Sequence, residues 1–305
     1  QAPARATAMG PFTVQAAIQA APEDKVKGLI LLSHGLGGTE LGHSSLAEAL
    51  ARDGYLVAAL RHPGDNWQDG SLLKKGAAAY FGERPRQASR VIDALLQDPL
   101  WRDRIARDDR GYRIGALGHS AGGYTVLALA GGQADLSRIT THCTSERAAD
   151  PIFCGVNRGD ASPSGAADAP AGPPASLLPS LRGPRVGAVV AGAPAGVPFT
   201  ASSLAQVRVP TRIYEAEQDR FLVPRFHAEW VASNMPAAEL RRIPNAWHFA
   251  FMDTPSMPIQ TPDGNIADDP PGFDRQVFLA RLGREIQAPK ASLGRSPQGR
   301  QRGAP

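Results

Sequence analysis

Cysteine is nearly missing from this chain: Cys143 and Cys154 are the only two in 305 residues, and they form no Cys-x-x-Cys pair. His-x-His and His-Glu-x-x-His are both absent, and no Asp/His cluster replaces them, so no metal site and no cofactor is expected. No apolar run approaches the ~20 residues of a membrane-spanning helix, and no transmembrane segment is expected. Gly-x-Gly-x-x-Gly and the Walker Gly-Lys-Ser/Thr are missing too, which removes the usual phosphate cradles. Aromatic residues are 6% of the chain, with no basic stripe interleaved among them, and this excludes a nucleic-acid groove. The net charge of +4 does not oppose that conclusion. Past Ile286 the only charges are Lys290, Arg295, Arg300 and Arg302, so the basic balance sits in the tail and the body is near neutral.

What is present is an ordinary globular composition, 42% hydrophobic and 20% charged, in a length that suits roughly one to two domains. The two cysteines lie close together in a polar, loop-like segment, a pattern that reads as a disulfide. Closing a loop of that size stabilises a fold by roughly 3 kcal/mol in the chain-entropy model. A structural disulfide belongs to an oxidising compartment. The chain opens Gln1-Ala2-Pro3 without Met, as in a mature form whose signal peptide has been removed, so a periplasmic or secreted location is expected.

Apolar runs alternate with helical patterns along most of the chain. Phe12, Val14, Ala16 and Ile18 suggest an early edge strand, and Gly28 to Leu32 a buried parallel one. Ser45 and Glu48 have capping-box spacing ahead of a short helix that ends at Gly54. Leu56 to Leu60 is the next strand, and Pro85 is expected to start a helix that stops at Asp98-Pro99. Strands then follow at Ile114–Leu117, Val186–Ala191, Thr211–Glu217 and Leu240–Ile243. Pro224 is expected to open a helix carrying Phe226 and Trp230, and Phe278, Leu282 and Ile286 mark a final one. Residues 131–184 break the alternation. They hold both cysteines and a Pro/Gly/Ala/Ser run from Ala161 to Pro174, and they read as a cap-like or mobile insertion. The expectation is one α/β domain over residues 1–287 with a mostly parallel sheet flanked by helices, and a disordered basic tail over 288–305.

The strand at Ile114 ends in Gly118-His119-Ser120-Ala121-Gly122, and a helix-compatible stretch follows at once. That is the strand–turn–helix setting of a nucleophile elbow. The turn must be so sharp that the serine is strained and the residues two positions away leave no room for a Cβ. A second glycine-rich loop, Ser33-His34-Gly35-Leu36-Gly37-Gly38, follows the first central strand and suits one arm of an oxyanion hole. Phosphate binding is the other use of such a loop.

A serine hydroxyl needs a base, and the base needs an acid to fix its tautomer. Asp219 and His248 each follow a late strand, in the order Ser, Asp, His. Glu215 and Glu217 fall within a strand, and Asp253 comes after His248. His34 and His119 flank the two turns, His62 precedes a Pro-Gly turn, and His43, His142 and His227 look like surface or packing residues.

Four motifs carry a resemblance over about residues 28–130 and 185–255. Ser-His-Gly-Leu-Gly-Gly, Gly-Tyr-Leu-Val-Ala-Ala-Leu-Arg-His-Pro-Gly-Asp, Gly-His-Ser-Ala-Gly-Gly and Ala-Trp-His-Phe-Ala-Phe resemble the α/β-hydrolase superfamily. More narrowly they are similar to bacterial proteins labelled predicted dienelactone hydrolases, relatives of the type II platelet-activating-factor acetylhydrolases. The resemblance implies Ser120 as nucleophile, Asp219 as acid, His248 as base, and the N–H groups of Leu36 and Ala121 as the oxyanion hole. Dienelactone hydrolases resemble Gly-x-Cys-x-Gly at the nucleophile, whereas this chain has Ser120, which favours ester hydrolysis. The expected partner is a small-molecule or lipid-like ester, with Leu72, Leu73, Phe81, Phe249, Phe251 and Met252 available to an acyl or aryl group. A non-catalytic binding protein on the same fold is the alternative from another class.

Overall fold

The computed structural model describes residues 3–156 and 176–287. The Pro/Gly run 161–174 and the tail 288–305 lie outside the described residues. Six strands form the central sheet: β1 (Leu29–Ser33), β2 (Leu56–Ala59), β3 (Ile114–His119), β4 (Ala188–Gly192), β5 (Thr211–Ala216) and β6 (Ala238–Ile243). Their order is β6-β5-β4-β3-β1-β2, and every neighbouring pair is parallel. The order reverses between β1 and β3, which opens a crevice beyond the carboxyl ends of those two strands.

The inner strands β1, β3 and β4 are apolar on both sides because helices cover both faces, whereas the edge strand β6 carries Glu239, Arg241 and Arg242. Leu29, Leu31, Ile114, Ala116, Val189, Ala191 and Ile213 belong to one core, with Ile92, Tyr124 and Leu127 from helices α2 (Ala77–Gln97) and α3 (Ala121–Ala130). Tyr214 and Ala216 join the opposite layer. There they meet Leu46 of α1 (Ser44–Arg52) and Phe278 and Leu282 of the last helix (Arg275–Gln287). The alternation of faces along each strand is what a period of two requires.

The structure corrects the sequence reading at several points. The early strand Phe12–Ala16 pairs antiparallel with Arg5–Met9 in a hairpin separate from the central sheet. Ser45 and Glu48 form no capping box. Helix α1 begins at Ser44, the Ser45 N–H and hydroxyl both donate to Asp253, and Glu48 accepts the Gln15 N–H. A carboxylate from a distant loop thus serves the helix start, where negative charge is favoured. Pro85 does not begin a helix; it lies inside α2. A proline there deprives the carbonyl four residues back of its donor. That carbonyl, Phe81 O, instead accepts the Tyr124 hydroxyl at 3.0 Å. Pro224–Phe226 is a 3-10 turn, and the α-helix with Trp230 starts only at Ala228.

Cys143 and Cys154 form the expected disulfide, but they sit on helices, α4 (Leu136–Ser145) and α5 (Pro151–Val156), not in a loop. The α5 end of this segment is tied down by Asp150, a fully buried carboxylate that accepts from His142 Nε2 at 2.8 Å and His227 Nε2 at 2.9 Å.

Tyr124→Phe should therefore destabilise the protein by about 1–3 kcal/mol, because a buried carbonyl loses its donor. Pro85→Ala supplies a backbone N–H to the same carbonyl and should offset part of that loss. Urea unfolding of the two single variants and the double variant measures the coupling; strict additivity would contradict this account.

Candidate active site

The loops that leave the carboxyl ends of β1, β3, β5 and β6 carry the glycine loop, Ser120, Asp219 and His248. At the elbow, Ser120 has φ of 59° and ψ of −119°, a left-handed conformation strained for a non-glycine residue. The backbones approach too closely for side chains on either flank. A Cβ on Gly118 would lie 2.1 Å from Gly122 O, and one on Gly122 would lie 1.9 Å from Ser33 O. Both arms of the strained residue are tied down. The Ser120 N–H donates to Gly192 O, and its carbonyl accepts from Tyr124 N and Ala195 N.

Ser120 Oγ lies 3.0 Å from His248 Nε2, and His248 Nδ1 lies 2.8 Å from Asp219 Oδ2. A carboxylate only accepts, so Nδ1 carries the proton and Nε2 presents its lone pair to the serine hydroxyl. Asp219 is held from its other oxygen, which accepts the N–H groups of Phe221 and Leu222 at 2.9 and 2.8 Å. The His248 ring stacks on Phe221 with centroids 4.9 Å apart, and its carbonyl lies 2.8 Å from His119 Nε2. The imidazole is fixed in both tautomer and plane.

The competing acids are engaged elsewhere. Glu215 pairs with Arg242, Glu217 accepts the Asn245 N–H, and Asp253 serves α1. His43, expected at the surface or in packing, is buried, with Nδ1 2.8 Å from Phe251 O. Leu36 is 42% exposed, and Ala121 opens α3, so its N–H is among the first-turn donors that have no partner within the helix. Among the described residues no cluster of three or more His, Cys, Asp or Glu side chains is grouped to hold a metal.

Sequence reading missed a polar layer beneath the glycine loop. Arg84 and Asp65 are a fully buried ion pair, and Ser33 Oγ lies 2.8 Å from His62 Nε2, whose Nδ1 meets Gln87 at 2.7 Å. A trace of it was legible. Arg84 falls in helical register with Tyr80, Phe81 and Ala88, a charge on an apolar face. Burial, and next the charge of Arg84, push His34 down to about 4 and His62 down to about 2. Burial lowers His43, and it holds His119 well below the ordinary imidazole value.

A parallel sheet of this order with a strained serine elbow at its switch point is the α/β-hydrolase architecture. No family model matches the chain. The probable 1-alkyl-2-acetylglycerophosphocholine esterase of Arthroderma benhamiae is 30% identical over 105 residues, which are 33% of this chain and 27% of that protein. The chain thus matches about a quarter of that relative's length. A predicted CIB-like hydrolase from Thermoplasma acidophilum superposes with a TM-score of 0.44 at 13% identity, over 87% of this chain and 88% of the other. A dienelactone hydrolase from Anabaena variabilis gives 0.48 at 15%, over 87% and 86%.

The buried histidines set a pH dependence of stability. His34 and His62 stay neutral in the folded protein, while unfolded imidazoles take up protons near pH 6.5. The unfolded state then binds more protons below pH 6.5, so stability is full above that value and falls as pH drops toward 4. His34 alone accounts for about 3 kcal/mol of that fall. The urea midpoint should drop between pH 7 and pH 5, less steeply in His62→Gln; an unchanged midpoint would contradict neutral burial.

Proposed function

We propose that this protein is a serine hydrolase that cleaves carboxylic esters through an acyl-enzyme on Ser120. The observation that carries the reading is the unbroken hydrogen-bonded line from Ser120 Oγ through His248 to Asp219, at 3.0 and 2.8 Å. Ser120 Oγ attacks the ester carbonyl carbon as His248 Nε2 takes its proton, and the carbonyl π pair moves onto oxygen. The N–H groups of Leu36 and Ala121 are assigned to that oxyanion; a donor of this kind is worth about 10²–10³ in kcat. Collapse expels the alkoxide, which leaves with the proton from Nε2. Water then attacks the acyl carbon, gives its proton to His248, and the second collapse releases the acid and restores Ser120. Asp219 keeps the proton on Nδ1 and stabilises the imidazolium between steps.

Lipid-like esters are the second reading, as substrates of a phospholipase or acetylhydrolase. It is favoured by the 105-residue match to a protein named for an acetylated glycerophosphocholine. Lactones or amides would follow the same chemistry with less support. The Cys143–Cys154 bridge supports a periplasmic or secreted location.

A panel of p-nitrophenyl esters of rising acyl length, run beside a lipid emulsion, separates the two substrate readings. Ser120→Ala should stay folded and lose nearly all turnover, and a fluorophosphonate should label Ser120 alone. Labelling elsewhere, or activity abolished by EDTA, would overturn the assignment. Asp219→Asn should lower kcat by up to ~10⁴, because the ring then favours the wrong tautomer. A loss under tenfold would remove Asp219 from the role.

A further inference from the structure

Among the buried charges that catalysis leaves unused, two grip the glycine loop. Arg84, on α2, and Asp65, in the turn after β2, are 0% and 1% exposed. Besides Asp65, the guanidinium donates to the His34 carbonyl and, at 3.3 Å, to Ser33 Oγ. The other oxygen of Asp65 accepts the Gly37 N–H at 2.8 Å. The ion pair therefore holds the loop at both ends, by a carbonyl before Leu36 and an amide after it.

Between those ends the Gly35 carbonyl accepts from His34 Nδ1 at 2.7 Å and from the Gly38 N–H at 3.2 Å. This peptide is trans, so its carbonyl and the Leu36 N–H point in opposite directions. Fixing one fixes the other. Gly35 itself lies against the nucleophile, where a Cβ would stand 3.2 Å from Ser120 Cβ. The same guanidinium reaches the second arm. Arg84 Nε donates to Thr125 Oγ1 at 3.2 Å, and Thr125 Oγ1 donates to the Ala121 carbonyl at 2.9 Å. One rigid fork thus references both the glycine loop and the first turn of α3.

We propose that Arg84 and Asp65 are positioning residues that aim the Leu36 N–H, relative to that of Ala121, at the oxygen that becomes negative during ester cleavage. This rests on the serine hydrolase reading. Apolar residues of similar volume would fill the same space, often with no loss of stability. They would supply neither a donor for the His34 carbonyl nor an acceptor for the Gly37 N–H. Lysine keeps the charge but not the planar fork, and cannot serve Asp65, His34 and Thr125 together.

The test is Arg84→Lys, assayed with a p-nitrophenyl ester after titrating active sites with a fluorophosphonate. A displaced donor should lower kcat per titrated site by about 10–100-fold with KM within about twofold, since only transition-state binding is lost. The Ki of a trifluoromethyl ketone, whose hemiketal oxygen occupies the same position, should rise by the same factor as kcat/KM falls. A merely structural role would reduce the titre of active sites and leave kcat per site and Ki unchanged. That outcome overturns the proposal. If Arg84→Lys does not fold, Asp65→Asn carries the same test, because it keeps the shape and an acceptor for Gly37. Wild-type protein that takes no label at Ser120 would instead overturn the hydrolase reading itself.

Discussion

The close approach of three backbone segments at the end of β3 is the constraint on which the rest of this structure depends. Gly118, Gly122 and Ser33 meet at distances that no Cβ can enter, so β1, β3 and the start of α3 lock one another in place. Ser120 is left in a conformation that costs on the order of 1–3 kcal/mol. It persists because its own N–H and carbonyl are bonded to β4, α3 and the loop after β4. The strain lifts one hydroxyl out of the backbone at the switch point of the sheet, where loops from β1, β5 and β6 also converge.

Charge beneath that point is arranged with equal economy. Arg84 is a buried cation, and it has Asp65 as its counter-charge. Its presence helps to keep His34 and His62 neutral, and neutrality leaves a lone pair on each Nε2. His62 can then accept from Ser33 and His34 from the His62 N–H, while the two Nδ1–H groups donate to Gln87 and to the Gly35 carbonyl. Removing any member would leave a buried polar group without its partner, which in a low dielectric is the expensive state.

The segment after α3 is attached by a similar device. Asp150 accepts from two imidazoles, and the Gly196 N–H bonds His227 Nδ1 at 3.0 Å, which fixes the proton on Nε2, toward the carboxylate. The Cys143–Cys154 bridge ties the two helices of this segment to each other, while the Asp150–His227 bond ties them to the loop that carries Asp219. Cross-link and hydrogen bond divide the work between local and long-range order.

Local signals determined much of this protein. The apolar runs of β1, β3 and β5, the glycines around Ser120, the break at Asp98-Pro99 and the pairing of two lone cysteines were legible in the sequence because each depends on residues no more than 11 positions apart. The order Ser120, Asp219, His248 was legible as a list of candidates, each just past a strand. Tertiary structure alone decided the rest. Pro85 lies inside a helix because Tyr124, nearly forty residues on, bonds the carbonyl that the proline leaves bare. Ser45 and Glu48 do not cap their helix, which starts one residue earlier; Asp253, brought from far along the chain, accepts the Ser45 N–H and hydroxyl instead. The distances joining Ser120, His248 and Asp219, and the gripping of the glycine loop by Arg84 and Asp65, arise only once the sheet brings its strand ends together. Their partners are separated by tens to more than a hundred residues, and no local pattern encodes a contact across such a span.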